Sequence, residues 1–342
     1  MRALVWVGRF RGYGGFVQST RGYVQSLIPL VDNLIIAPME LLEPADPFNA
    51  LVKQFDDNDF RLMNHGPNKD PDASAFLSVW EFDHIPQEWI DPFIQAKVIL
   101  TQSRFCAEIF AKAIGDRSKI HVVSYILPPT ASPIGQTIRD FGKDYFLFGS
   151  VFEWVPRKMP EIMIQAFEEE FSHNEQVCFL LRTTHPNIAN VTEFVRQKFH
   201  DPRLIVINTP LPDITAFYRG LDCYISCTGG EGFGQTLSEA MACGIPTIGS
   251  RHSGNLDFMN DMNSWLVDVE PWSPVEDPMI PNEEFQWRRP KVASIRKAMR
   301  EVYELKQEHK MSRKTEAALK IGAAMTPKQV GQHIFNHLQP FL

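Results

Sequence analysis

The stretch from Thr228 to Thr247 reads Thr-Gly-Gly-Glu-Gly-Phe-Gly-Gln-Thr-Leu-Ser-Glu-Ala-Met-Ala-Cys-Gly-Ile-Pro-Thr. Gly229, Gly230, Gly232 and Gly234 crowd a turn between the apolar run Cys223–Cys227 and a helix of strong formers, Leu237 to Cys243. Gly244 sits where such a helix stops, and Pro246 begins the next strand. A glycine-rich turn that opens a helix presents backbone N–H groups and the positive end of the helix dipole. Glycines also let a ligand come close to the backbone. That is the chemistry of a diphosphate site. Two carboxylates follow the pattern Glu-x7-Glu: Glu231 in the turn and Glu239 about one turn into the helix. Glu239 can accept hydrogen bonds from vicinal hydroxyls, as acidic residues do with ribose. Glu231 can meet a sugar or a reacting centre. Simple helix capping is the competing explanation for so short a motif.

Cations for a diphosphate stand in Phe146-Leu-Phe-Gly-Ser-Val-Phe-Glu-Trp-Val-Pro-Arg-Lys-Met-Pro160. A fixed Arg157 or Lys158 can stabilise the charge that builds on a departing nucleoside diphosphate; a solvated Arg-Lys pair is the alternative. Gly12-Tyr-Gly-Gly-Phe16 follows the first apolar run, and Gly14 and Gly15 permit a close backbone approach. His65 ends the run Phe60–Met63 and can donate to a sugar hydroxyl or help proton transfer, or serve packing alone. Trp80, Glu81 and Asp83 suit a sugar ring, although core packing with a helix cap accounts for them slightly better.

Positioning such groups takes strands and helices in alternation. Ala3–Val7, Asn33–Ala37, Phe60–Met63, Ala75–Trp80, Lys97–Thr101 and Ile120–Tyr125 read as strands of a first half. Tyr145–Gly149, Val177–Arg182, Leu204–Ile207, Cys223–Cys227, Pro246–Gly249 and Ser264–Val267 read as strands of a second. Phe16, Thr20, Tyr23, Val24, Leu27 and Val31 fall at helical spacing, as do Met163, Phe167 and Phe171. This alternation predicts an α/β protein with parallel sheets covered on both faces. Leu127–Gln136, with Pro128, Pro129 and Pro133, reads as a linker. Glu270–Pro290 reads as an ordered loop excursion, and a helix opens at Thr326-Pro327 with Val330, Ile334 and Leu338 as its apolar stripe.

The segment Glu231-Gly-Phe-Gly through Glu239-Ala-Met-Ala-Cys-Gly-Ile-Pro-Thr247 resembles the retaining glycosyltransferases of the GT-B fold, in particular their family-4-like group. The likeness continues through the Pro-Arg-Lys run, and through Ser253-Gly-Asn-Leu-Asp-Phe258. It implies two Rossmann-like doubly wound domains facing a central cleft: residues 1–135 on the acceptor side, residues 136–325 binding a nucleotide-sugar donor, and a helix over 326–342 crossing back to the first domain. By the same resemblance Glu239 binds the donor ribose and Glu231 contacts the transferred sugar. Lys158 reaches the diphosphate with Arg157 beside it, and His65 touches the sugar. Donor contacts also fall to Phe233, Gly234, Gln235, Thr236, Gly14 and Gly15. The family often places a second arginine after the glycine of the strand at 146–149. Here Ser150 stands there, which leaves the second phosphate cation open.

Composition narrows the classes. The chain has 342 residues, long enough for two domains, with 44% hydrophobic and 22% charged residues. A formal net charge of −7 argues against a general nucleic-acid surface. No apolar run is long enough to span a membrane, and the N-terminus lacks a secretion signal, so a cytoplasmic site of action is expected; peripheral membrane contact is compatible with that. Five cysteines, an odd number, read as free thiols, and Cys223 and Cys227 lack the further soft ligands that zinc needs. No Asp-x-Asp run marks a divalent metal site, so no cofactor or metal is expected beyond the nucleotide-sugar co-substrate. The expected activity is sugar transfer, with retention, to a glycan, lipid or protein acceptor. A sugar-nucleotide epimerase, a sugar phosphorylase or a non-catalytic nucleotide-sugar binder shares the same features. A nicotinamide dehydrogenase does not, because Gly12-Tyr-Gly-Gly-Phe16 lacks its glycine spacing.

Overall fold

The computed structural model describes residues 2–11, 15–56, 58–127, 144–184, 190–208, 214–277, 280, 285–308 and 312–342. The chain divides into unit 1, Met1–Pro128 with Ala323–Leu342, and unit 2, Pro129–Gly322. The linker expected at Leu127–Gln136 lies, after Leu127, outside the described residues.

Unit 1 holds a parallel six-stranded sheet, β1 (Leu4–Gly8), β2 (Leu34–Pro38), β3 (Phe60–Met63), β4 (Ala75–Leu77), β5 (Val98–Thr101) and β6 (Ile120–Val122), in the order β2-β1-β3-β4-β5-β6. Its strands are apolar on both faces because both faces are covered. On one side Leu4, Trp6 and Leu62 pack with Tyr23, Val24 and Leu27 of α1 (Gly15–Leu27). On the other, Met63, Phe76 and Ile99 meet Phe93 of α2 (Ile90–Gln95) and Cys106, Ala107 and Phe110 of α3 (Arg104–Ile114). The Ser103 hydroxyl caps α3 by accepting from the Cys106 N–H at 3.2 Å.

Unit 2 holds a second six-stranded sheet: β7 (Phe146–Glu153), β8 (Val177–Thr184), β9 (Leu204–Ile207), β10 (Cys223–Ser226), β11 (Thr247–Ser250) and β12 (Trp265–Val267), ordered β12-β11-β10-β7-β8-β9. Phe146, Phe148, Phe179, Leu181, Cys223 and Ile225 face α4 (Pro160–Glu170) and α8 (Val292–Gln307). On the opposite face Tyr224 lies within a ring contact of Tyr218 from α6 (Ile214–Arg219), at 5.3 Å between centroids. The described helices α5 (Val191–Lys198), α7 (Gln235–Ala242) and α9 (Ser312–Leu319) complete this unit. Cys223 and Cys227 are buried free thiols.

β4 and β6 end at Leu77 and Val122, short of the expected Trp80 and Tyr125, and two further elements differ from expectation. β7 runs to Glu153 rather than stopping at Gly149, because β8 pairs with it residue for residue from Phe146↔Val177 to Glu153↔Thr184. The Glu270–Pro290 region contains an antiparallel hairpin, β13 (Val269–Pro274) with β14 (Gln286–Pro290), anchored by Trp287, which is 1% exposed.

The last helix, α10 (Pro327–Leu338), belongs to unit 1. Thr326 caps it, and Val330, Ile334 and Leu338 enter the same core as β1 and α1. No helix among the described residues is long and apolar enough to cross a membrane.

Candidate active site

In an open parallel sheet the ligand crevice lies at the carboxyl ends of the strands where the order reverses. In unit 2 that point is between β7 and β10, since β8 and β9 extend one way and β11 and β12 the other. The loops leaving those two strands carry Arg157-Lys158 and Gly229–Gly234.

Three contacts stitch these loops together. The Gly229 N–H donates to the Arg157 carbonyl at 2.9 Å. Arg157 donates from its guanidinium to the Gly230 carbonyl at 2.7 Å. Lys158 Nζ donates to Glu231 Oε1 at 2.6 Å, while Arg157 stands 3.8 Å from Oε2. Lys158 closes the short turn Pro156–Lys158, and Met159 after it adopts φ 48°, a left-handed conformation rare outside glycine. That kink starts α4 and leaves Arg157 and Lys158 in front of the turn.

Glu231 is 8% exposed. Its backbone is held from both sides: its N–H donates to Ser253 Oγ at 2.8 Å, and its carbonyl accepts from the Gly254 N–H at 2.9 Å. Ser253 sits at φ 72°, ψ −158°, a region that is nearly glycine's alone; such strain persists where surrounding structure enforces it, and it clusters at functional sites. Gly254 admits no side chain, since a Cβ there would lie 2.3 Å from the Gly232 carbonyl oxygen. Burial pushes the Glu231 carboxyl up, but the Lys158 and Arg157 charges and hydrogen bonds from Lys158 and Thr228 outweigh it, so its pKa lies below the usual carboxylate value. Glu231 is therefore an anion at neutral pH.

Gly234, at φ 92°, turns the chain into α7, which begins with no side-chain cap. The helix thus offers its first turn of amides and its dipole to an anion. Phe233 is buried against Phe258, with 4.9 Å between ring centroids. Gln235 and Thr236 are half-buried. Glu239, 5% exposed, is oriented by two donors: the Tyr218 hydroxyl to Oε2 at 2.7 Å and Gln235 Nε2 to Oε1 at 2.9 Å. Thr236 shares a hydrogen bond with the Tyr224 hydroxyl. Behind the turn, β14 donates from the Arg288 N–H to the Gly229 carbonyl at 3.2 Å.

In unit 1 the order reverses between β1 and β3. His65 follows β3, half-buried, its ring edge-on to Phe16 at 5.3 Å. The Gly66 N–H donates to His65 Nδ1 at 2.7 Å, which assigns the proton of the neutral ring to Nε2. Burial, then the charges of Lys69 and Arg9, lower its pKa, so His65 is a neutral donor at pH 7. Gly15 is the first residue of α1; Gly14 lies outside the described residues. Trp80 packs edge-on to Phe82 and Trp89 at 5.5 and 4.9 Å.

Known proteins share this fold. Residues 143–275 match the family Glycosyl transferases group 1. HepE of Anabaena, solved in complex with UDP and glucose, superposes with a TM-score of 0.70 at 13% identity, over 99% of this chain and 100% of that one. The chain has the GT-B fold. A Rickettsia africae glycosyltransferase gives 0.72 at 13% identity, over 99% of this chain and 98% of its own. In sequence, 94 residues are 33% identical to the GtfA subunit of a Streptococcus gordonii UDP-N-acetylglucosamine–peptide N-acetylglucosaminyltransferase; they make up 27% of this chain and 16% of that protein.

Within the matched segment, the residues singled out by type and spacing in Arg157–Glu239 meet around one turn. Tyr218, Ser253 and Thr228 were not singled out from sequence. Tyr218 carried no signal, being one of two adjacent aromatics in a short helix. Ser253 stands beside the Gly254-Asn255 turn, whose role becomes legible only when it is seen to grip Glu231.

Proposed function

We propose that this protein transfers a sugar from a nucleoside diphosphate sugar to a hydroxyl acceptor, with retention at the anomeric carbon and without a metal. The observation that carries the reading is the Lys158–Glu231 pair set against the uncapped start of α7 at the switch point of unit 2. The diphosphate lies against that helix end, and Lys158 with Arg157 offsets the charge that grows as the bond from the anomeric carbon to phosphate oxygen breaks. Glu239, already oriented by Tyr218 and Gln235, accepts from the ribose hydroxyls. Glu231 accepts from a hydroxyl of the transferred sugar, and the backbone at Phe233, Gly234, Gln235 and Thr236 lines the phosphate and sugar. The departing phosphate oxygen takes the acceptor's proton as the new glycosidic bond forms on the same face, so the step needs no separate protein base. The relatives named with UDP and with UDP-N-acetylglucosamine make UDP-sugars the first donors to try.

A thermal-shift panel of UDP-, GDP-, ADP- and TDP-sugars tests the reading, followed by release of nucleoside diphosphate and NMR of the product's anomeric configuration. One donor is expected to raise the melting temperature and yield a product of unchanged configuration. No shift with any donor would defeat the reading, and an inverted product would remove retention.

A further inference from the structure

At the turn just described, Lys158 and Arg157 both stand against Glu231, and Glu239 nearby adds a second carboxylate, so part of the positive charge is already engaged before a ligand arrives. A bound diphosphate therefore needs a further cation, and Ser150, which follows Gly149 on β7, has none to offer.

Arg182 lies one strand away. It is paired in register with Val151 near the carboxyl end of β8. Side chains alternate across a strand, and Val177, Phe179 and Leu181 enter the core beneath α4 and α8, so Arg182 projects to the opposite face. That face is also where the Tyr224 hydroxyl meets the backbone of Val151, at 3.4 Å, and where Tyr218 orients Glu239. Arg182 is half-buried. Its Nε is fully enclosed with no hydrogen-bond partner, and among the described residues no carboxylate pairs with it. Burial lowers its pKa. A partly desolvated guanidinium with an unpartnered Nε is costly to the fold. Such a cost is retained where an anion arrives to match it.

We propose that Arg182 is a donor-binding residue that takes a phosphate oxygen of the nucleoside diphosphate, supplying the positive charge absent at Ser150. The guanidinium fork matches phosphate geometry, and an ammonium does so less well. This rests on the donor site proposed above.

The test compares wild type, Arg182→Met and Arg182→Lys, each titrated by calorimetry with UDP, or with whichever of UDP, GDP, ADP and TDP binds wild type tightest. The matching nucleoside is followed by NMR titration, and the melting temperature of each free protein is recorded. Arg182→Met is expected to weaken the diphosphate at least tenfold, to leave the nucleoside unchanged and to melt no lower than wild type. Arg182→Lys is expected to recover part of the loss. Unchanged diphosphate affinity in Arg182→Met overturns the proposal, and so does an equal loss of nucleoside, which would mark a contact to base or ribose. A lower melting temperature with every ligand weakened overturns it as well, in favour of a packing role. Failure of wild type to bind any nucleoside diphosphate sinks the donor site itself, an outcome distinct from these.

Discussion

Replacing Lys158 with methionine keeps most of the side chain's bulk and removes its charge, leaving Glu231 without its nearest partner. The two side chains are only 18% and 11% exposed. Breaking so enclosed a pair from one side costs roughly 3–5 kcal/mol when nothing else meets the remaining charge. Here Arg157 remains at 3.8 Å and Thr228 still donates a hydrogen bond, which places the expected loss lower, at about 2–3 kcal/mol. For a unit of this size each kcal/mol moves the melting temperature by about 2–4 °C, so a fall of roughly 5–10 °C is expected. Adding Glu231→Gln removes the stranded charge, and the double variant should return to within about 1 kcal/mol of wild type. Urea unfolding of the four proteins at neutral pH gives the coupling directly. Because the Glu231 carboxyl is depressed below 4.5, the pair's stabilisation is present above that value and fades as pH falls through the depressed one; the coupling should shrink in acid. In the same series Lys158→Met should lower kcat by about a hundredfold or more while nucleoside affinity barely moves. Strictly additive stabilities would refute the ion pair, and equal losses of kcat and nucleoside affinity would refute its role on the leaving group.

Tyr218→Phe removes the donor to Glu239 Oε2 and should weaken nucleoside diphosphate binding by about tenfold, or ~1.5 kcal/mol for a charged hydrogen bond; calorimetry matching wild type would separate Tyr218 from ribose recognition. Glu239→Ala should weaken it further, and an intact affinity there would remove the ribose role altogether. Gly254→Ala forces a Cβ against the Gly232 carbonyl, so the backbone bearing Glu231 must shift; about 1–3 kcal/mol of stability and roughly a hundredfold in turnover should go, whereas wild-type kinetics would show that the turn tolerates displacement. His252 and His337 are both pulled down to about 4, the first by burial and Arg288, the second by burial and its histidine neighbours. Depressed histidines are neutral in the fold, so their stability is whole above about 6.5 and is lost as pH falls toward 4. His252→Gln should flatten that slope, and an unaltered slope would rule His252 out as a contributor.

Much of the fold was legible because doubly covered parallel strands must be apolar throughout, and runs such as Phe60–Met63 and Leu204–Ile207 stand out between helical patterns. The glycine turn and its two glutamates were legible because few other sequences place such residues before a helix. The hairpin of β13 and β14 was hidden: Trp, Pro and Arg do not alternate in polarity, and Trp287 is buried against a glycine far along the chain. The grip of Ser253 and Gly254 on Glu231 was hidden for the same reason, since it joins loops from neighbouring strands. Arg182 ended an apolar run and was counted with its strand; only the register to Val151 and the alternation of its neighbours show which face it takes.

Unit 1 is written in two pieces, with all of unit 2 encoded between them. A nascent chain leaving the ribosome thus exposes β1 and α1 with their groove for Val330, Ile334 and Leu338 still vacant. At ordinary translation speeds that interval lasts roughly ten to forty seconds. Throughout it the first-made half is an incomplete fold that a chaperone has reason to hold, and it closes only once α10 has been made.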